Sequence, residues 1–256
     1  MLLATSLFSF NSAAITHGEP DGDDHPAVCA IAAFDENGSH LGFGSGTLIA
    51  PDVVLTAGHV TALAYMAKVY FGEDVINNPI YVAYGAPHSY PGLVLYDPPP
   101  AGLFSMHGDV GVVVLASPVP STVVAPSEYG MLPSEDMVET LEKKAMLDIV
   151  GYGMQEMVKG EGKPYWDGYL TRYASTCELI NTNYVLGDEF MKLSSNPSKG
   201  KGGTSFGDSG GPVYIEDTNT IVGITSFGPS YWCTSAWYAF RVDTGPVLEW
   251  IYQFIA

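Results

Sequence analysis

The sequence predicts an all-β protein. Three observations carry that expectation. Glycine (29) and proline (18) are plentiful and break the chain at short intervals. Apolar residues fall in short β-branched runs, and helical periodicity is scarce. With 256 residues, 46% of them hydrophobic, the chain is long enough to bury one or two packed cores.

Taken in order, residues 1–10 are mostly apolar, and Ser12-Ala13-Ala14 supplies small residues of the kind signal peptidase accepts, although no Lys or Arg precedes them. Residues 1–14 are therefore expected to be a signal peptide. Gly46 to Leu55 reads as two short strands around a Pro51-Asp52 turn, with His59 beyond the second strand in Thr56-Ala57-Gly58-His59-Val60. Asp109 opens Val110-Gly111-Val112-Val113-Val114-Leu115, the pattern of a buried strand. Ser117-Pro118-Val119-Pro120 breaks the strand pattern and suggests a boundary between residues 15–120 and 121–256. Ile221–Ile224 reads as a further strand, and Val247–Ile255 as a terminal helix packed on the sheets.

The most chemically specific stretch is Gly207-Asp208-Ser209-Gly210-Gly211-Pro212. Glycines on both sides of a serine permit a tight turn and leave main-chain N–H groups open to a developing negative charge. Ser209 reads as a nucleophile, His59 as its base and Asp109 as the acid that orients the base. A lone histidine after a strand is usually structural, and a lone aspartate before one is usually a turn former; the three together are not. The serine motif also fits the G-x-S-x-G elbow of α/β-hydrolases, but every histidine (His17, His25, His40, His59, His88, His107) precedes Ser209, which excludes that order. A subtilisin order needs an aspartate before the histidine, and Asp35 and Asp52 lie in turns. The order His59, Asp109, Ser209 remains.

From Ile15 to the C-terminus the chain resembles the chymotrypsin/trypsin family of serine endopeptidases, of a microbial secreted type. The matching motifs are Ile15-Thr16-His17-Gly18, the His59 and Asp109 segments, Gly151-Tyr152-Gly153, the Ser209 hexapeptide and Ser226-Phe227-Gly228. The resemblance implies two six-stranded antiparallel β-barrels packed together, the first carrying His59 and Asp109, the second Ser209 and the terminal helix. It implies an oxyanion hole from the N–H groups of Gly207 and Ser209, a Ser226 hydroxyl on Asp109, and a Ser226–Gly228 segment that pairs with substrate. It also implies that signal removal after Ala14 frees Ile15, whose amine pairs with Asp208. The pocket residues Gly203 and Thr204, with Gly228, suggest neutral specificity: no Asp or Glu lies between Gly200 and Gly207, where trypsin-like members carry an acid six residues before the nucleophile. Tyr231, Trp232 and Trp237 are placed to narrow that pocket. The family's cysteine four residues before the serine is Ser205 here, and the three cysteines (Cys29, Cys177, Cys233) allow one bridge at most, with buried thiols the favoured state.

Ten basic residues against 28 acidic give a net charge of −18, which disfavours nucleic acid and anionic membranes as partners. Asp21-Gly22-Asp23-Asp24 and Glu73-Asp74 match no complete calcium loop and read as solvated turns. No metal or cofactor is expected. The expected protein is a secreted monomer acting on protein or peptide substrates with non-basic primary specificity, off the membrane once its signal is removed. An inactive homologue serving as a binding module is the alternative, and an esterase-like hydrolase using the same site a third.

Overall fold

The computed structural model describes residues 15–95, 107–158, 165–167, 170–182, 188–196, 201–229, 233 and 236–255. The signal-peptide segment, Tyr231 and Trp232 lie outside the described residues. Two closed six-stranded antiparallel barrels make up the molecule. The first runs β2 (Val28–Phe34), β3 (His40–Ala50), β4 (Val53–Thr56), β7 (Gly111–Leu115), β6 (Tyr81–Ser89) and β5 (Met66–Phe71), which pairs back on β2. The second runs β11 (Tyr173–Asn181), β12 (Phe190–Ser194), β15 (Trp237–Arg241), β14 (Ile221–Phe227), β13 (Pro212–Ile215) and β8 (Met146–Gly151). It closes through β8 on β11. A short β1 (Glu19–Pro20) adds to β11, and β9 (Glu156–Val158) pairs with β10 (Tyr165–Asp167) as a separate ribbon.

The period-2 alternation of strands sorts the apolar side chains into three cores. Along β2, Cys29 and Ile31 point into the first barrel with Leu48, Val69 and Val113, while Val28 and Ala30 face the other way. Along β15, Trp237 and Ala239 point into the second barrel with Leu147, Met191 and Val222, while Tyr238 and Phe240 face out. The outward sets meet Tyr152, Tyr214 and Ile224 in a third core between the barrels. The terminal helix α2 (Gly245–Tyr252) carries Pro246 in its first turn, where a missing N–H costs little. It lays Val247, Leu248, Trp250 and Ile251 on the same inter-barrel core, with Trp250 edge-on to Tyr90 at 5.4 Å.

The expectation that Asp21-Gly22-Asp23-Asp24 is simply a solvated turn fails at Asp21. That residue is 4% exposed and binds Arg172 Nε at 2.6 Å and His25 Nδ1 at 2.5 Å. Buried Arg172 also donates to the Gly22 carbonyl and the Tyr152 hydroxyl. The acid is buried because a cation from β11's approach reaches it across 151 residues of sequence. Cys29 and Cys177 sit in the cores of different barrels, and the cysteines form no disulfide.

Candidate active site

Strand pairing brings the histidine and the aspartate together. β4 and β7 are antiparallel neighbours with Thr56 opposite Gly111. His59 follows three residues past Thr56, on the single turn α1 (Gly58–Thr61), and Asp109 lies two residues before Gly111. Both therefore emerge at the same end of the first barrel. Asp109 is fully buried and accepts from the His59 backbone N–H at 2.8 Å. His59 Nδ1 lies 3.0 Å from each carboxylate oxygen, and Ser226 Oγ donates to Oδ2. With an acceptor-only carboxylate facing it, Nδ1 carries the ring proton and Nε2 keeps its lone pair free.

Electrostatics follow from this packing. Burial pulls the His59 pKa down, but the Asp109 charge and hydrogen bond outweigh it and hold the ring above its usual value. Burial pushes Asp109 up, but the His59 charge and the hydrogen bonds from His59 and Ser226 hold the carboxyl below the ordinary range. Side-chain exposure of 26% at His59 leaves the ring accessible from one side.

Ser209 reaches the same place from the second barrel. Its carbonyl accepts from Ser45 N at 2.8 Å on β3. Gly210 N donates to the Thr225 carbonyl and Thr225 N to the Gly211 carbonyl, each at 2.8 Å. The Ser209 loop is thus strapped to β14 one residue before Ser226, the residue that holds Asp109. Gly210 has φ +84°, and a Cβ there would press on Ala57 N at 2.7 Å, two residues before His59. Only glycine allows the loop this close. Ser209 is half-buried, and neither its N–H nor that of Gly207 (φ +100°) donates a hydrogen bond among the described residues.

Asp208 points the opposite way and is fully buried. It accepts from Gly153 N and Ser205 N, each at 2.8 Å, from Ser205 Oγ at 3.0 Å, and from the Ile15 backbone N–H. Burial outweighs these donors and pushes its pKa up to about 6. Ile15 is itself fully buried, in the core of the second barrel. Ser205, at the position where the resemblance implies a cysteine, caps this carboxylate through its N–H, and its single hydroxyl proton is within reach of both the carboxylate and the Met154 carbonyl, at 2.5 Å from the latter. Thr204 is buried, Ser226 and Phe227 end β14, and Gly228 follows. Thr16 bridges to Gly203 through main-chain and hydroxyl bonds, each of 3.1 Å.

Three contributors escaped sequence reasoning. Ser45 joins β3 to the Ser209 loop: its Oγ donates to the Gly207 carbonyl at 2.9 Å and accepts from Tyr152 N at 3.0 Å. Glu189 accepts from Gly108 N at 3.0 Å and so pins the turn that delivers Asp109. Ser205 is the third. Ser45 and Glu189 have no local signal, because their partners lie more than 80 residues away, and the contact of Ser205 with Asp208 has meaning only once that carboxylate is buried. Among the described residues there is no cluster of three or more His, Cys, Asp or Glu that could hold a metal ion.

The trypsin family model matches residues 29–251. The chain belongs to the trypsin family and is a serine-type endopeptidase. Two solved structures share the fold: HL collagenase (TM-score 0.70, 19% identity, covering 92% of this chain and 96% of that one) and GrC (TM-score 0.67, 17% identity, 92% and 96%). No curated protein sequence matches the chain.

Proposed function

We propose that His59, Asp109 and Ser209 are the catalytic triad of this endopeptidase. The observation that carries the reading is the Asp109 carboxylate, buried and shared between both N–H groups of His59 and the hydroxyl of Ser226, on the strand that also straps Ser209 in place. Ser209 Oγ attacks the scissile carbonyl carbon as His59 Nε2 takes its proton. The oxyanion is received by the unused N–H groups of Gly207 and Ser209, a type of donor worth roughly 3–4 kcal/mol of barrier. His59 then protonates the departing amine as the C–N bond breaks, and water releases the acyl group by the same steps in reverse. Ser226 to Gly228 lines up the substrate backbone.

The proposal extends to secretion, with a mature chain starting at Ile15. Its support is the setting of Asp208: a buried carboxylate receiving only uncharged donors, one of them the Ile15 N–H. An ammonium at Ile15 supplies the missing countercharge. The absence of acid from Gly200 to Gly207 supports non-basic primary specificity.

An organophosphate reagent tests the assignment. Stoichiometric labelling at Ser209, lost in Ser209→Ala together with peptide cleavage, is expected. A folded protein that is not labelled is a binding module instead, and one that cleaves esters but no peptide is an esterase-like hydrolase.

A further inference from the structure

Gly203 lies six residues before Ser209, and a Cβ placed on it would overlap the Ser195 hydroxyl. The space that a side chain at 203 would fill is thus taken by a side chain from the end of β12. Ser195 Oγ is buried and has no hydrogen-bond partner among the described residues. A second orphan stands on the neighbouring strand: Trp237 is 2% exposed, and its Nε1 also lacks a partner among the described residues.

Strand register places the two together. Leu193 pairs with Trp237 across β12 and β15, and both side chains point into the second barrel. Ser195 lies two residues beyond Leu193, so alternation carries it to the same face, diagonal to the indole. Trp237 also borders the other wall, since its Cβ is the one atom that a Cβ on Gly228 would meet, at 3.7 Å. Ser195 Oγ at Gly203 and the Trp237 Cβ at Gly228 thus put the two side chains that carry unsatisfied polar atoms at the two walls. The charged groups on the adjoining chain are committed: Lys201 to Glu178, and Asp208 to the N–H groups of Ser205 and Gly153.

We infer that Ser195 Oγ and Trp237 Nε1 recognise a primary carboxamide, the side chain of glutamine or asparagine, on the residue whose carbonyl Ser209 attacks. This rests on the reading of Ser209 as nucleophile. An indole N–H only donates, so it takes the carboxamide oxygen; a serine hydroxyl accepts the carboxamide NH2. An alkyl side chain leaves both orphans unpaired. A carboxylate arrives without a cation, and an ammonium or guanidinium faces an N–H with no anion behind it. Sites with buried polar groups reject substrates that cannot pair them far more strongly than apolar pockets reject a misfit.

The test is a peptide-library digest by the active full-length protein, read by mass spectrometry. It is followed by kcat/KM on matched peptides carrying Gln, Leu, Lys, Glu or Ala before the cut. Cleavage after Gln or Asn is expected to exceed cleavage after Leu by roughly ten-fold or more. In Trp237→Phe, which keeps a ring and removes the N–H, and in Ser195→Ala, the Gln-to-Leu ratio is expected to fall toward one. Ser195→Ala removes only a hydroxyl and keeps the test open if Trp237→Phe does not fold. A wild-type preference for apolar, small, basic or acidic residues overturns the inference, as does a ratio unchanged in the folded variants. With Ser209 labelled by organophosphate, such a result leaves the triad standing. A protein that is neither labelled nor active on any peptide overturns both.

Discussion

Asp109 is buried, and what keeps it ionised is the His59 charge together with donors from the His59 ring, the His59 backbone and the Ser226 hydroxyl. The charge it keeps holds the His59 pKa above 6.5, so the base is neutral only above that value. The pH profile of kcat/KM should therefore rise through an apparent pKa above 6.5. Asp109→Asn should lower kcat/KM by about 10⁴-fold and move that limb to lower pH; a profile with an unchanged limb sinks the pairing. Asp208 makes the opposite statement about stability. With Ile15 internal, its folded pKa of about 6 lies above the model-peptide value of 3.8. The folded chain then holds a proton that the unfolded chain has lost, and stability falls as pH rises through that window, by about 3 kcal/mol in all. A free Ile15 ammonium depresses the pKa instead and reverses the sign, so that stability is lost as pH falls in the acid range. Melting curves from pH 2 to 7 should show stability falling as pH rises from about 4 to 6 on the chain with Ile15 internal, and instead a loss only below about pH 4 on the chain beginning at Ile15; parallel curves remove the ion pair.

Strand β3 does more than wall the first barrel. At Ser45 its backbone holds the Ser209 carbonyl, and its hydroxyl joins Gly207 to Tyr152 at the end of β8. Ser45→Ala leaves the Gly207 carbonyl and the Tyr152 N–H unpaired. The expected loss is about 1–3 kcal/mol of stability, with at least a ten-fold drop in kcat/KM as the turn around Gly207 relaxes. Thermal melting and steady-state kinetics check the two halves separately, and a variant unchanged in both shows that the hydroxyl does not hold the loop. Elements of this kind mark the limit of legibility. β4 and β7 could be read from Val53-Val54-Leu55 and the Val110–Leu115 run, and the residues just beyond them followed. The role of Ser45 could not, because the strand read from sequence begins only at Gly46 and nothing local marks Ser45 until the second barrel is docked against it. Similarly, the strand read at Ile221–Ile224 runs on to Phe227, with Ser226 at the bulge between Thr225 and Phe227 where β14 pairs with β15.

Across the whole molecule, two barrels meet over an apolar core, and Arg172 stands at its edge as a buried cation. Sequence composition showed an acidic surface but not this exception, because a single arginine among 28 acids carries no local mark of its partner. Its bonds reach Asp21 and Gly22 from the N-terminal segment, Val28 from the first barrel and Tyr152 from the second. The guanidinium therefore ties three parts of the fold at one point. Asp21 would be raised by burial alone, but the His25 hydrogen bond and the Arg172 charge hold its carboxyl below the ordinary range. That contribution is present above pH 3.8 and is lost as pH falls through the depressed value. Removing one partner of a buried pair costs more than the pair itself contributes, because the other charge is left uncompensated. Arg172→Met should thus destabilise the protein by about 3–5 kcal/mol, lowering Tm by roughly 10 °C. Adding Asp21→Asn to that variant should recover part of the loss by removing the stranded carboxylate. If the double variant melts below Arg172→Met, Asp21 is stabilised by His25 and not by the arginine, and the lock lies in the N-terminal segment and not between the barrels.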